Sequence, residues 1–156
     1  MRHAKSSWKT GAQTDHERPL NKRGRRDAPR VAAYLQQADW VPDAVLSSDS
    51  ARTTETWMRM ADVIGGRPVR FTRELYHASV LAFCREVGGA DPSITTQLVL
   101  GHNPGWEEVV HWLSDAAVGM TTANAALLEG RGETWHHALQ PGAWSLQAVV
   151  RPKEIG

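Results

Sequence analysis

The chain reads as an α/β protein, a three-layer sandwich around a largely parallel sheet. Three observations predict this. Short apolar, partly β-branched runs alternate with helical stretches through most of the 156 residues. Two of those runs stop at capping and turn residues and pass straight into a helix start. Hydrophobic residues make up 41% of the chain, enough for a sizeable core at a length that favours one domain over residues 1–156.

In chain order, residues 1–20 are polar and rich in turn formers and read as an irregular loop. Asn21 is a good N-cap for a helix to about Gln37, with Val31, Ala32, Leu35 and Ala38 on its apolar face. Gly24 and Pro29 weaken its start. After the turn Val41-Pro42-Asp43, residues 44–47 form a short buried strand. Ser48-Asp49-Ser50 then caps a second helix, from about Ala51 to Ile64, which Gly65-Gly66 ends. Val69-Arg70-Phe71 is another short strand, Glu74-Leu75-Tyr76 follows it, and residues 79–87 are helical. A strand at 96–100 stops at Gly101-His102-Asn103-Pro104-Gly105, and a helix continues to about Leu113. The last third predicts a helix at 122–128, a loop at 130–142 and a final strand at 143–150.

Composition excludes several classes. The net charge of +1 gives no global field toward nucleic acid or an anionic membrane. The basic cluster Lys22-Arg23-Arg25-Arg26 reads as a solvated start of helix, because no second basic stripe joins it. No apolar run reaches a membrane span, and the N-terminus carries no signal-peptide core. One cysteine excludes an internal disulfide and fits a reducing cytoplasm; Cys84 lies in Val80-Leu81-Ala82-Phe83-Cys84 and reads as a core residue. The seven tryptophans are scattered, as core or rim residues are.

Chemistry concentrates at three places. Arg2-His3 opens the chain, and a neutral, aimed imidazole beside cations is a competent nucleophile. The strand at 44–47 leads into Ser48-Asp49-Ser50-Ala51-Arg52, and the strand at 96–100 leads into Gly101-His102. Both junctions lie at carboxyl ends of strands and at helix N-termini, which favour an anion. Each alone is an ordinary capped helix; their agreement with Arg2-His3 points to a phosphate site.

These segments resemble the histidine phosphatase superfamily, whose fold is phosphoglycerate mutase-like, and within it the SixA-like phosphohistidine phosphatases. Arg2-His3-Ala4-Lys5-Ser6 resembles the nucleophile motif. Asp15-x-x-Arg18-Pro19-Leu20 with Arg23-Gly24 resembles the next block, and Ser47-Ser48-x-x-Ala51-Arg52-Thr53-x-x-Thr56 the second arginine motif. Gly101-His102-Asn103-Pro104-Gly105 resembles the second histidine motif. Thr121-Thr122-Ala123, Trp135 and Arg151-Pro152-Lys153 match the family's tail. The resemblance implies that His3 is phosphorylated, that Arg2, Arg18, Arg52 and His102 surround the phosphoryl group, and that water then hydrolyses phospho-His3 without a metal or other cofactor. It implies a phosphohistidine-bearing signalling or phosphotransfer protein as substrate, in the cytoplasm, with no nucleic acid or membrane partner.

Elementary chemistry agrees with these roles. Phosphoryl transfer asks for positioning and for charge on the equatorial oxygens. Arginine presents a permanently charged fork matched to phosphate, and a protonated His102 would add a donor. Losing one such donor should cost roughly 3 kcal/mol, about a hundredfold in rate. His3 should be neutral at its attacking nitrogen, with the other nitrogen held by a backbone carbonyl. Glu74 lies where a general acid could come from, and reads equally as a surface or structural residue. His16, His77, His111, His136 and His137 form no ligand pattern and read as surface or packing residues. The short connection between Phe71 and Thr96 predicts an open, shallow site. The rival readings are a small-molecule phosphomonoesterase of the same superfamily and a non-catalytic phosphoprotein-binding module.

One departure stands out. In the family an apolar strand leads directly into the Arg-His motif, and here nothing precedes Met1. The expectation is that this first core strand is missing because Met1, which fits the end of such a strand, is an internal residue of a longer chain. A fragment, or a true start that leaves His3 poorly aimed, are the alternatives.

Overall fold

Helix α1 (Lys22–Gln37) begins where Asn21 caps it, its side-chain oxygen accepting the Gly24 amide at 2.9 Å. Gly24 is required there: a Cβ would collide with the Lys5 backbone, so the N-terminal loop lies directly against the start of α1. Pro29 sits inside the helix without ending it. Strand β1 (Ala44–Ser48) leads into α2 (Ala51–Ile64), which Ser50 caps and Gly65, at φ +81°, terminates. Strand β2 (Val69–Thr72), a 3-10 turn (Arg73–Leu75), α3 (Val80–Gly88), β3 (Gln97–Leu100) and α4 (Gly105–Ser114) follow. Strand β4 (Ala125–Glu129), a four-residue helix α5 (Trp135–Ala138) and β5 (Ser145–Val150) complete this computed structural model, which describes residues 1–156.

The sheet is parallel where the chemistry is. Its order is β2-β1-β3, with Val45 opposite Val69 and Leu98, and Ser47 opposite Phe71 and Leu100. Side chains alternate across it. Val45 joins Val31 and Leu35 of α1 and Trp57 and Met60 of α2 on one face. Leu46 joins Phe83 and Val87 of α3 and Trp106 and Val110 of α4 on the other. These two helical faces and the sheet are the three layers expected.

Two segments depart from the expected elements. Residues 122–128 are not helical: 125–129 are β4, paired antiparallel with β5. Ala and Leu favour helix intrinsically, but residues 125–128 alternate between core and half-buried positions, and pairing with β5 satisfies their backbone. The stretch expected as a loop contains α5, capped by Thr134.

Smaller expectations also change. Cys84 is only half-buried, packed beside the second core cluster, and burial raises its thiol pKa. The basic residues at the start of α1 are solvated as expected, Arg23, Arg25 and Arg26 being 39%, 46% and 63% exposed, and they also pair with carboxylates. Arg23 and Arg26 pair with Asp27, which is 3% exposed, and Arg25 pairs with Glu55 at 2.7 Å. Two tryptophans, Trp57 and Trp106, are core, whereas Trp8 is 76% exposed.

Residues 1–3 lie between β3 and the segment that opens β4. Arg2 bridges Gly101 in parallel, the His3 amide donates to the Gly101 carbonyl at 3.0 Å, and the Gly101 amide donates to the Met1 carbonyl at 3.1 Å. On the other side the Arg2 amide donates to the Asn124 carbonyl and the Ala123 amide to the His3 carbonyl. This short stretch therefore stitches β3 to the segment that opens β4. A groove of about 820 Å³ is lined by Met1, Leu98, Val99, Ala126 and Leu128 among others. The Met1 amino group is buried and donates to the Val99 carbonyl at 2.7 Å, and burial pushes its pKa down to about 5. His3 is thus held by backbone bonds on both sides.

Candidate active site

Three chain segments converge at the carboxyl ends of β1 and β3: residues 1–3, the start of α2 and the loop before α4. His3 is 7% exposed. Its Nδ1 lies 2.7 Å from the Ala4 carbonyl. A carbonyl only accepts, so Nδ1 carries the proton and Nε2 holds the lone pair. The Arg52 Nε–H donates toward that lone pair at 3.3 Å, which is consistent with the same tautomer. Burial lowers the His3 pKa, the Ala4 hydrogen bond opposes it, and the charges of Arg52, Arg2 and Arg18 lower it further, to about 4. The imidazole is neutral at pH 7 with its free nitrogen facing cations.

Arg52 enters the site because it sits in the first turn of α2, where the Ser50 cap fixes the helix start. Its side chain is nearly fully buried, which an arginine tolerates only when its donors are used. They are: Nη1 donates to the Asp15 carbonyl at 2.6 Å, and Nη2 to Asp15 Oδ2 at 2.9 Å and toward His102 Nδ1 at 3.3 Å. The Thr56 hydroxyl donates to the Arg52 carbonyl and accepts the Ala4 amide, so one side chain ties α2 to the nucleophile segment.

His102 leaves β3 just before α4 and is 2% exposed. Because Arg52 can only donate, Nδ1 accepts and Nε2–H donates to the Ser48 hydroxyl at 2.9 Å. Burial first, then the charges of His3, Arg52 and His77, hold His102 far below the usual histidine range against the pull of Asp15. A protonated His102 was expected; before an anion arrives it is neutral, because a buried imidazolium beside arginine is unfavourable.

Arg2 donates Nη1 to the Met120 carbonyl at 2.9 Å, while its buried Nε has no partner. An unused guanidinium N–H beside His3 and Arg52 is a donor left for an anion. Arg18 is held by the Ser7 carbonyl, the Ser6 hydroxyl and Asp15, and its guanidinium stacks 3.3 Å from the Trp8 ring centroid. The structure therefore brings His3, Arg52 and His102 into direct contact, sets Arg2 beside them, and links Arg18 through Asp15.

Glu74 is not brought to this cluster. It lies on the 3-10 turn, 58% exposed, and its carboxylate binds Arg85 at 2.8 Å. The carboxylate at the site is Asp15. Burial works to raise its pKa, but hydrogen bonds from Tyr76, Arg18 and Arg52 outweigh that and hold it below the carboxylate range. Tyr76 donates its hydroxyl to Asp15 Oδ2 at 2.6 Å. His16 binds Asp49 at 2.7 Å and meets Tyr76 edge-on, and the His77 ring lies 5.2 Å from the His102 ring. His16 and His77, read from sequence as surface or packing residues, and Asp15 and Tyr76, given no role there, thus lie at this cluster. Only Asp15 carried a local signal, its spacing to Arg18; Tyr76 and His77 are brought in by the return of the chain after β2, and His16 follows Asp15 in the N-terminal loop. No group of three or more His, Cys, Asp or Glu side chains is arranged to hold a metal ion.

Comparison with known proteins places this geometry in context. The family model described as the histidine phosphatase superfamily, branch 1, matches residues 1–80. An uncharacterized chloroplastic protein of Arabidopsis thaliana is 38% identical over 97% of this chain and 76% of its own length. An uncharacterized protein of Mycobacterium tuberculosis is 36% identical over 67% of this chain and 63% of its own. Among solved structures, SixA from Nakamurella multipartitia is 27% identical with a TM-score of 0.87, covering 97% of this chain and 93% of that one. The protein histidine phosphatase SixA in complex with tungstate shares the fold at 20% identity, with a TM-score of 0.83 over 98% of this chain and 95% of that one.

Proposed function

The chain belongs to the histidine phosphatase superfamily, branch 1, and from that premise we propose that it is a phosphatase that removes phosphate from phosphohistidine on a signalling or phosphotransfer protein. One observation carries the reading. His3 spends Nδ1–H on the Ala4 carbonyl and so points an unprotonated Nε2 at a buried arginine. In the first step Nε2 attacks phosphorus and the substrate nitrogen leaves. The Arg52 Nε–H that now caps the lone pair turns to the phosphoryl oxygens, joined by the unused Arg2 Nε–H and by Arg18. The dianion raises the proton affinity of His102, so this side chain becomes a further donor once the site is occupied. Water then attacks phospho-His3, and neutral His3 is the leaving group. The helix start at Arg52 adds backbone dipole to the same charge.

An open rim supports a macromolecular substrate. The connection from β2 to β3 contains only the 3-10 turn and the nine-residue α3. Asp15 is partly accessible, and Trp8 stands exposed beside Arg18.

The test is transfer from a ³²P-labelled phosphohistidine protein, with acid-labile label sought on this chain at short times. Label on the wild type and none on His3→Asn, together with phosphate release only by the wild type, is expected. Release without label on the chain, or release by His3→Asn, would overturn the mechanism.

A further inference from the structure

His77 occupies a place that the roles above leave unexplained. It follows the 3-10 turn with φ +54°, a left-handed conformation that is unfavourable for a non-glycine residue and persists only where surroundings impose it. The surroundings are the site itself. The His77 ring lies 4.1 Å from that of Tyr76 and 5.2 Å from that of His102, and its Nε2 is 3.6 Å from Asp15 Oδ2. About half of its side chain remains exposed, so it faces both the buried cluster and the solvent side from which a substrate arrives. Gly105 makes this possible: a Cβ there would run into the Ala78 carbonyl, so only glycine lets the start of α4, and His102 with it, close on residues 76–78.

Resting on the phosphatase reading, we propose that His77 is the catalytic proton donor to the leaving atom, a role that extends the substrate class to phosphate monoesters with strongly basic alkoxide leaving groups. The transferred proton is placed on His77 Nε2, which lies 3.6 Å from Asp15 Oδ2. As His3 Nε2 forms its bond to phosphorus and the phosphorus–oxygen bond breaks, the His77 proton passes to the departing oxygen, giving an alcohol and neutral His77. In the second step His77 takes a proton from the attacking water while the bond from phosphorus to His3 breaks. Phosphate leaves, His3 returns neutral and His77 returns protonated, so each turnover consumes one ester and one water. The donor that the sequence reading sought at Glu74 is three residues further along the chain, because the turn carries Glu74 outward to Arg85 and the left-handed residue folds inward. Tyr76 and Asp15 hold the base of this arrangement.

The experiment compares wild type with His77→Asn, chosen because asparagine accepts a left-handed backbone, and with His77→Gly, which accepts it at no steric cost. Each is assayed on p-nitrophenyl phosphate, phenyl phosphate and glycerol phosphate, and thermal melts confirm folding. Both variants should lose at least about a hundredfold in kcat/KM on glycerol phosphate, less on phenyl phosphate, and under about tenfold on p-nitrophenyl phosphate, whose leaving group needs no proton. An equal loss on all three esters would assign His77 to binding or packing and overturn the proposal. So would unchanged rates, or a wild type that cleaves p-nitrophenyl phosphate but not the alkyl ester. A wild type inert on every ester and on phosphohistidine would instead sink the phosphatase reading beneath it.

Discussion

Burying His3 in its neutral form should make the protein's stability depend on pH in a defined direction. The native pKa is about 4, against roughly 6.5 for a histidine in an unfolded chain. Between those values the unfolded state binds a proton that the native state refuses. Stability therefore rises with pH across this window, is fully present above about pH 6.5, and is lost as pH falls toward 4. The full separation is worth roughly 3 kcal/mol. Between pH 7 and pH 5 the His3 share of the loss is about 2 kcal/mol, since at pH 5 the unfolded imidazole is almost wholly protonated and the native one is not. The perturbation is His3→Asn, which removes the titration and leaves His102 in both proteins. Urea unfolding curves at pH 7, 6 and 5 supply the free energies. Wild type should lose about 2 kcal/mol more than the variant over this range. Parallel pH dependence in the two proteins would refute a neutral, buried His3, and with it the unprotonated nucleophile.

Other perturbations test other contacts. Arg52→Lys replaces a fork that reaches Asp15, His3 and His102 by a single ammonium; kcat/KM for phosphate release should fall about 10²- to 10³-fold, and a loss under tenfold would count against its place on the phosphoryl group. Gly105→Ala drives a methyl into the Ala78 carbonyl and should cost about 1–3 kcal/mol in urea unfolding, with no loss expected only if α4 can shift. Glu107 accepts the Met120 amide at 2.7 Å and Asn103 Nδ2 at 2.8 Å, so Glu107→Gln should destabilise by about 1.5–3 kcal/mol, measured the same way. Trp8→Ala removes only an exposed stack on Arg18; stability should change by less than about 1 kcal/mol, while KM for a phosphohistidine protein rises if Trp8 is part of the docking rim.

Local chemistry made much of this protein legible. The helices α1 and α2 announce themselves through Asn21, Ser50 and Gly65, since a cap is satisfied by the amides next to it in sequence. Strands β1 and β3 are short apolar runs covered by helices on both faces, as parallel strands usually are, whereas β2 is the exposed edge. His3, Arg52 and His102 stand beside strand ends and helix starts, so their convergence followed from the fold class. Residues 125–129 were misread because Ala and Leu carry helix propensity, whereas the partner that makes them a strand, β5, lies some twenty residues away along the chain.

Local pattern was enough to tell which residues could do phosphoryl chemistry and that they would meet at one end of a parallel sheet. The tertiary structure alone decided protonation and company. Burial and the neighbouring arginines keep His3 and His102 neutral, the Ala4 carbonyl selects the His3 tautomer, and the turn after β2 sends Glu74 to solvent while it brings Tyr76 and His77 to Asp15. The physical reason is that desolvation and Coulomb interaction depend on distances through space, and those distances join residues as far apart as 3 and 102, which no local pattern encodes.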